Sequence, residues 1–149
     1  NPESGINIQQ VRKLGKRERS EKRIVVAEDS PLLRKLLSDT LTEAGYQYVE
    51  FFENGKEALE YLESIANAGK NIEEQVQLIV TDIEMPQMDG HHLTKRVKVS
   101  KELGKLPVII FSSLITDDLK HKGQMVGANA QVSKPEIAEL ITLIDQHIL

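Results

Sequence analysis

The chain has 149 residues, 40% hydrophobic and 28% charged, a composition that supports one soluble domain with a full core. It contains no cysteine, which excludes disulfides and cysteine-based zinc sites and fits the reducing cytoplasm, where we expect the protein to work. Apolar runs such as 106–111 are far shorter than the roughly 20 residues of a membrane span, and no signal peptide opens the chain, so we expect no membrane insertion.

Positive charge is concentrated near the amino terminus. Residues 12–23 hold seven basic and two acidic side chains, a local balance of +5, whereas the whole chain carries −4. A basic arm of this kind can bind nucleic acid or anionic lipid. No aromatic side chain is interleaved with these charges, so we interpret residues 1–22 as a basic, partly helical linker and predict no nucleic-acid binding. Because the chain begins with Asn rather than Met, we expect the linker to continue from an upstream domain.

Strands and helices alternate from residue 23 onward. The apolar run 24–27 predicts a strand that is buried on both faces. Ser30 is a suitable N-cap and Pro31 a suitable first residue for a helix that ends at Gly45. Its leucines recur at helical spacing, at Leu32, Leu33, Leu36, Leu37 and Leu41. Residues 46–52 predict a second strand, and a second helix follows with the buried face Ala58, Leu59, Leu62 and Ile65.

The second half of the chain continues the alternation. Residues 76–81 predict a third strand, and a loop containing Pro and Gly leads to a helix that begins near Asp89-Gly90. Strands at 106–111 and 129–133 enclose a helix at 116–126, and the last helix has the face Ile137, Leu140, Ile141 and Ile144. Five strands alternating with five helices predict a parallel, doubly wound sheet covered on both faces.

Four of the five predicted strands end in polar residues. These are Glu28-Asp29 after the first strand, Asp82 after the third, Ser112-Ser113 after the fourth and Ser133-Lys134 after the fifth. Ligands of open parallel sheets bind at the carboxyl ends of the strands. A strand order of 2-1-3-4-5 would bring the four polar ends together, and this edge is where we expect the functional site.

Such a cluster would suit phosphoryl transfer. Carboxylates in close proximity repel one another and must take up protons or bind a cation, and Mg²⁺ favours hard oxygen ligands. Asp82 could act as a carboxylate nucleophile, as in aspartyl-phosphate chemistry. Lys134 offers a point charge for a phosphoryl group, and Ser112 offers a hydroxyl donor. Positioning and charge neutralisation carry most of the catalysis in such reactions.

The same residues resemble the signature of response-regulator receiver domains. The matching positions, in order, are Glu28-Asp29, Asp82, Met85-Pro86, Met88-Asp89-Gly90, Ser112 and Lys134-Pro135, and the resemblance covers residues 23–149. It implies a flavodoxin-like fold, with a five-stranded parallel sheet of order 2-1-3-4-5 flanked by five helices. It also implies a switch that accepts a phosphoryl group from a histidine kinase with Mg²⁺, and so changes its binding of partners.

The resemblance assigns a role to each matching residue. Asp82 is the phosphoacceptor, Ser112 the switch hydroxyl and Lys134 the phosphate-binding lysine. Mg²⁺ is held by Glu28, Asp29, Asp82 and the main-chain carbonyl of Glu84. The Lys134-Pro135 bond is commonly cis in this family, a conformation that proline permits.

Three stretches, 28–33, 82–92 and 128–136, are similar to the receiver half of the chemotaxis coupling family CheV. That family joins an amino-terminal CheW-like scaffold domain to a receiver. The similarity implies a CheA-like histidine kinase as phosphodonor in a chemotaxis system. It also implies a CheW-like domain upstream, with residues 1–22 as the join.

The sequence departs from the family pattern at two positions. Gln131 stands three residues before Lys134, where many receivers carry Tyr or Phe, and it cannot fill the same apolar space. Glu84 adds an acid beside an acidic site, which we expect to alter metal affinity or phosphate lifetime. We interpret His91-His92 as surface histidines rather than a metal site, because adjacent helical residues do not share a face.

Three alternatives to a phosphorylated switch remain open. The first is a receiver-fold scaffold that has lost phosphorylation, for which Gln131 is the sequence support. The second is a phosphohydrolase with an Asp nucleophile, although Asp82-Ile83-Glu84 does not match the Asp-x-Asp motif of such enzymes. The third is a DNA-binding regulator, for which the chain to Leu149 offers no output domain.

Overall fold

The computed structural model describes residues 18–113 and 115–149. Its centre is a five-stranded parallel sheet of order β2-β1-β3-β4-β5, which confirms the predicted topology. The strands are β1 Arg23–Ala27, β2 Tyr48–Phe52, β3 Leu78–Thr81, β4 Val108–Ser112 and β5 Ala130–Ser133. The helices are α1 Pro31–Ala44, α2 Gly55–Asn67, α3 Ile72–Gln75, α4 Gly90–Val99, α5 Asp117–Met125 and α6 Ile137–Ile148. Residues 18–21 are also helical.

The predicted ends of α1 are confirmed. The Ser30 hydroxyl accepts a hydrogen bond from the Leu33 N–H at 3.3 Å, and Pro31 is the first helical residue. The helix ends at Gly45, whose φ of 114° lies in the left-handed region that favours glycine. The single turn α3 was not predicted, because four residues carry too little periodicity to reveal a helix.

Alternate residues of the strands contribute to two apolar layers, one on each face of the sheet. Val25 and Ala27 of β1 face a layer formed with α2 and α4. Ile24 and Val26 face the opposite layer, which α1 and α6 cover. This alternation follows from the two-residue period of a strand, and it explains why β1, β3 and β4 are apolar runs.

Only one of the two leucine rows of α1 belongs to the core. Leu37 and Leu41 are 1% exposed, whereas Leu32 and Leu36 are 80% and 45% exposed. Residues at i and i+4 share a helix face, so 33, 37 and 41 form one row and 32 and 36 form another. The sequence showed both rows but not which of them packs on the sheet.

The structure describes only the end of the predicted linker, because residues 1–17 lie outside the described range. The Arg19 guanidinium binds the Asp145 carboxylate with two hydrogen bonds, of 3.1 and 2.6 Å, and donates to the Ala44 carbonyl at 3.0 Å. These hydrogen bonds attach the helical turn 18–21 to α6 and to the end of α1. None of the helices in the described part of the chain is long and apolar enough to cross a membrane.

Candidate functional site

The loop after β1 presents Glu28 and Asp29 at the carboxyl edge of the sheet. The Glu28 N–H donates to the Phe52 carbonyl at 2.9 Å, which continues the pairing of β1 with β2. Arg34, one turn into α1, donates from Nη1 to the Glu28 carbonyl at 2.8 Å. The Ser30 N–H donates to Glu28 Oε2 at 3.1 Å. The backbone and side chain of Glu28 are thus fixed from three sides.

Asp82 follows β3 and lies next to the first loop. Its N–H donates to the Ala27 carbonyl at 3.0 Å, and its Oδ1 accepts from the Ile83 N–H at 2.7 Å. Helix α4 begins close beneath it, because a Cβ on Gly90 would lie 1.8 Å from the Asp82 carbonyl oxygen. Only glycine fits at residue 90, and its absent side chain allows α4 to begin immediately behind Asp82.

Strands β4 and β5 bring the basic group to the site. Ser112 lies opposite Ser133, and the Lys134 N–H donates to the Ser112 carbonyl at 3.1 Å. The Lys134-Pro135 peptide bond is cis, as predicted. Lys134 Nζ lies 2.7 Å from Glu28 Oε1 and 3.2 Å from Asp82 Oδ2. The ammonium group therefore bridges the two buried carboxylates.

The electrostatics of the site favour a cation. Burial raises the pKa of Glu28, and the nearby Asp82 raises it further, while hydrogen bonds from Lys134 and the Ser30 N–H offset part of this rise. Carboxylate oxygens of Glu28, Asp29 and Asp82 all lie within 4.8 Å of one another. One ammonium cannot neutralise three carboxylates. A set of hard oxygen donors with excess negative charge fits Mg²⁺, which these three side chains would hold.

The structure brings four of the predicted site residues together. Glu28, Asp29, Asp82 and Lys134 meet at the carboxyl edge of the sheet. Ser112 is buried at the end of β4, on the strand that pairs with β5. Glu84 lies exposed in the loop between β3 and α4, two residues beyond Asp82.

Sequence reasoning missed Arg34 as a residue that supports the site. It is a basic residue on a largely solvent-facing helix, and its contact with the Glu28 carbonyl depends on how the loop folds back. Arg34 Nη2 also lies 3.9 Å from Glu53 Oε1, so this arginine links the ends of β1 and β2. The proximity of a basic residue to the acidic pair, six positions along the chain, was the only signal.

The interpretation of both histidines as surface residues was wrong for His91. His91 is 2% exposed and its Nε2 has no hydrogen-bond partner, whereas His92 is exposed. Burial lowers the pKa of His91, and the positive charge of Lys122 on α5 lowers it further. Because adjacent helical residues point in different directions, one histidine faces α5 while the other faces solvent.

Comparison with known proteins agrees with this geometry. The model of the response regulator receiver domain family matches residues 24–145. Chemotaxis protein CheV2 of Helicobacter pylori is 35% identical over 121 residues, which are 81% of this chain and 37% of that protein. CheV1 and CheV3 of the same organism are 28% and 29% identical. The chain thus spans little more than a third of the length of these relatives.

Solved receiver structures have the same fold. Chemotaxis response regulator CheY4 of Vibrio cholerae is 29% identical with a TM-score of 0.67, over 86% of this chain and 98% of that chain. The receiver domain of the histidine kinase CKI1 from Arabidopsis thaliana, in complex with Mg²⁺, is 29% identical with a TM-score of 0.69, over 83% and 91%.

A five-stranded parallel sheet with an acidic cluster and a lysine at its carboxyl edge defines a CheY-like receiver domain. The chain belongs to the response regulator receiver domain family, and CheV proteins are among its similar relatives. Membership of this family is consistent with a role in two-component signalling.

Proposed function

We propose that the chain is a phosphorylatable receiver of a chemotaxis two-component system, with Asp82 as the phosphoacceptor. The observation that carries this proposal is the position of Lys134 Nζ, which lies 2.7 Å from Glu28 and 3.2 Å from Asp82 beside a third carboxylate. A carboxylate nucleophile, a set of oxygen ligands for a cation and a point charge for the phosphoryl group are the parts that phosphoryl transfer needs.

In the proposed reaction a carboxylate oxygen of Asp82 attacks the phosphorus of a phosphohistidine on the kinase. The P–O bond forms as the P–N bond breaks, and the histidine nitrogen keeps the bonding electrons and takes up a proton. The Ile83 N–H, 2.7 Å from Oδ1, fixes the carboxylate for this attack. Lys134 moves from a carboxylate to a phosphoryl oxygen, and the Ser112 hydroxyl donates to another. Glu28, Asp29 and Asp82 would hold the Mg²⁺, which would supply charge neutralisation.

The similarity to CheV proteins supports the proposed setting. We assign a CheA-like histidine kinase as the phosphodonor, a CheW-like domain upstream, residues 1–22 as a join, residues 23–149 as the receiver domain and the cytoplasm as the location. Phosphorylation would change partner binding, and hydrolysis of the aspartyl phosphate would reset the switch. The chain would act on its own phosphoryl group and turn over no external phosphate ester.

Labelling by a small-molecule phosphodonor tests the proposal. Incubation with acetyl phosphate and Mg²⁺ should add one phosphoryl group to the intact mass, and Asp82→Asn or removal of Mg²⁺ should abolish the gain. Asp89→Asn is a matched control, because Asp89 is an exposed acid at the other end of the same loop, where it caps α4. It should still be labelled.

A wild-type protein that stays unlabelled, under conditions that label another receiver, would refute the proposal. A receiver-fold scaffold without phosphorylation would then replace it. Phosphotransfer from a purified CheA-like kinase tests the assignment of the partner separately.

A further inference from the structure

Helix α5 is loosely packed compared with the other long helices. Of its nine residues, Asp117–Met125, only Gly123 is buried. The Thr116 hydroxyl caps it by accepting from the Leu119 N–H at 3.2 Å. A helix that buries almost no apolar side chain is positioned by a small number of specific contacts rather than by a broad hydrophobic face.

Gln131 supplies a specific contact with the backbone of α5. It lies on β5 between Ala130 and Val132, whose side chains pack in the layer on the opposite face of the sheet. The Gln131 side chain therefore points toward α5, and its Nε2 donates to the Lys120 carbonyl at 2.8 Å. A Cβ on Gly123 would lie 2.4 Å from Gln131 Oε1 and 2.6 Å from its Cδ. The carboxamide thus lies directly on the backbone of the helix, and we call this contact the Gln131 seat.

Two buried polar atoms next to α5 have no hydrogen-bond partner. Gln131 Oε1 is buried and has no hydrogen-bond partner, and the same is true of His91 Nε2. His91 belongs to α4 and lines a groove with Lys122 and Val126, so it borders the same helix from the other side. In the described part of the chain these are the only buried side-chain nitrogen or oxygen atoms left unsatisfied. An unsatisfied buried polar atom destabilises the arrangement that contains it.

We propose that Gln131 is a positioning residue that holds α5 through the seat, and that α5 has a second position away from it. In the second position the Gln131–Lys120 hydrogen bond is broken, and Gln131 Oε1 and His91 Nε2 become accessible to water or new donors. The satisfaction of these two atoms offsets the loss of the hydrogen bond. The Gln131 contact, together with His91 against the α5 backbone at Leu119, thus positions the surface that α5 presents to a partner.

Amide hydrogen exchange in the unphosphorylated, Mg²⁺-free protein tests the seat through a cycle of variants. Gln131→Ala should speed exchange of the α5 amides about fivefold, the factor for one neutral hydrogen bond, while the β4 amides are unchanged. Gly123→Ala alone should leave α5 exchange within about twofold of the wild type, because its Cβ, 2.4 Å from Gln131 Oε1, displaces the carboxamide while alanine's higher helix propensity offsets that loss.

The double variant should separate the two opposing effects of Gly123→Ala. Once Gln131→Ala has emptied the seat, Gly123→Ala should slow α5 exchange about fivefold, because alanine favours a helix more than glycine does. Gln124→Ala, at an exposed position on the same helix, should have the same effect in both backgrounds. The proposal is overturned if Gly123→Ala slows α5 exchange equally in both backgrounds, or if Gln131→Ala leaves α5 exchange within twofold of the wild type.

The link between the seat and Asp82 rests on the proposed function. Gln131 precedes Lys134 by three residues on the strand that pairs with Ser112, so a shift of this strand moves both the site and the seat. Acetyl phosphate with Mg²⁺ should change α5 exchange in the wild type and not in Asp82→Asn. The change should be at least twofold smaller in Gln131→Ala, and an equal response would refute this link. If the chain takes up no phosphoryl group, the proposed function is refuted. The variant cycle in unmodified protein still tests whether Gln131 holds α5.

Discussion

Replacing Arg19 with alanine should measurably destabilise the whole domain, although Arg19 lies on the linker side of the predicted boundary at residue 23. Its guanidinium makes two hydrogen bonds to Asp145 and one to the Ala44 carbonyl. The Tyr46 hydroxyl donates to the same carboxylate at 2.5 Å, and the Tyr46 side chain is buried in the layer beneath α1 and α6. Arg19 thus joins a segment before β1 to the last helix of the fold.

The size of the effect follows from the exposure of the pair. The Arg19 and Asp145 side chains are each 23% exposed, between a surface ion pair and a buried one. Surface pairs contribute about 0–1 kcal/mol, whereas breaking a buried pair costs about 3–5 kcal/mol. Asp145 keeps its hydrogen bond from Tyr46 and gains access to water. We therefore expect Arg19→Ala to lower the free energy of unfolding by about 2 kcal/mol, and the melting temperature by about 6–8 °C.

Urea unfolding of the full chain measures this free energy, with Lys35→Ala as the matched control. Lys35 also pairs with an acid, Asp39, but the two side chains are 75% and 66% exposed, so its loss should cost less than about 0.5 kcal/mol. Tyr46→Phe should cost about 1 kcal/mol, and its combination with Arg19→Ala should be non-additive because both groups bind Asp145. An Arg19→Ala protein as stable as Lys35→Ala would refute the reasoning.

Three further predictions concern the site and its surroundings. Gly90→Ala should lower the free energy of unfolding by about 3 kcal/mol, because its Cβ would lie 1.8 Å from a backbone carbonyl oxygen; urea unfolding measures the loss. Burial lowers the pKa of His91, so the unfolded chain protonates this histidine at a higher pH than the folded chain does. The free energy of unfolding should therefore decline below about pH 6.5, by at most about 1.4 kcal/mol per pH unit. His91→Gln should flatten that decline in melts between pH 7.5 and 5.5, and a decline flattened equally by the exposed His92→Gln would contradict it. Arg34→Ala should weaken Mg²⁺ binding about tenfold in calorimetric titrations, because the Glu28 carbonyl loses the group that orients it, and an unchanged affinity would remove Arg34 from the site.

The strand ends explain why the sequence predicted so much of the fold and the site. Each central strand is a short apolar run followed at once by polar residues, and a parallel sheet brings all such ends to one edge. The meeting of Glu28, Asp82 and Lys134 therefore follows from topology alone, without knowledge of any side-chain contact. Periodicity is weaker information, since it revealed two leucine rows on α1 and could not tell which one faces the sheet.

Contacts between a side chain and a distant backbone atom could not be predicted. The bond from Arg34 to the Glu28 carbonyl and the bond from Gln131 to the Lys120 carbonyl depend on atoms that every residue possesses. A sequence pattern therefore gives no indication of these two contacts. At Gln131 the resemblance predicted a polar residue at a position where many receivers carry an aromatic one, but not that the amide would lie on a helix over a glycine. The burial of His91 depended in the same way on where α5 lies.

Removing the Lys134 ammonium should have opposite effects on metal binding and on phosphoryl transfer. Its ammonium lies between Glu28 and Asp82, so a cation held by the same carboxylates must compete with it for their oxygens. Lys134→Met removes a positive charge from the site and should strengthen Mg²⁺ binding at least about fivefold, since one unit of positive charge a few ångströms away opposes the cation. Labelling by acetyl phosphate should nevertheless fall, because the phosphoryl oxygens lose their point charge. Lys105→Met, whose side chain is 80% exposed and far along the chain from the site, should change neither quantity. Weaker Mg²⁺ binding in Lys134→Met would show instead that the lysine organises the carboxylates, and that competition between the two cations does not govern the site.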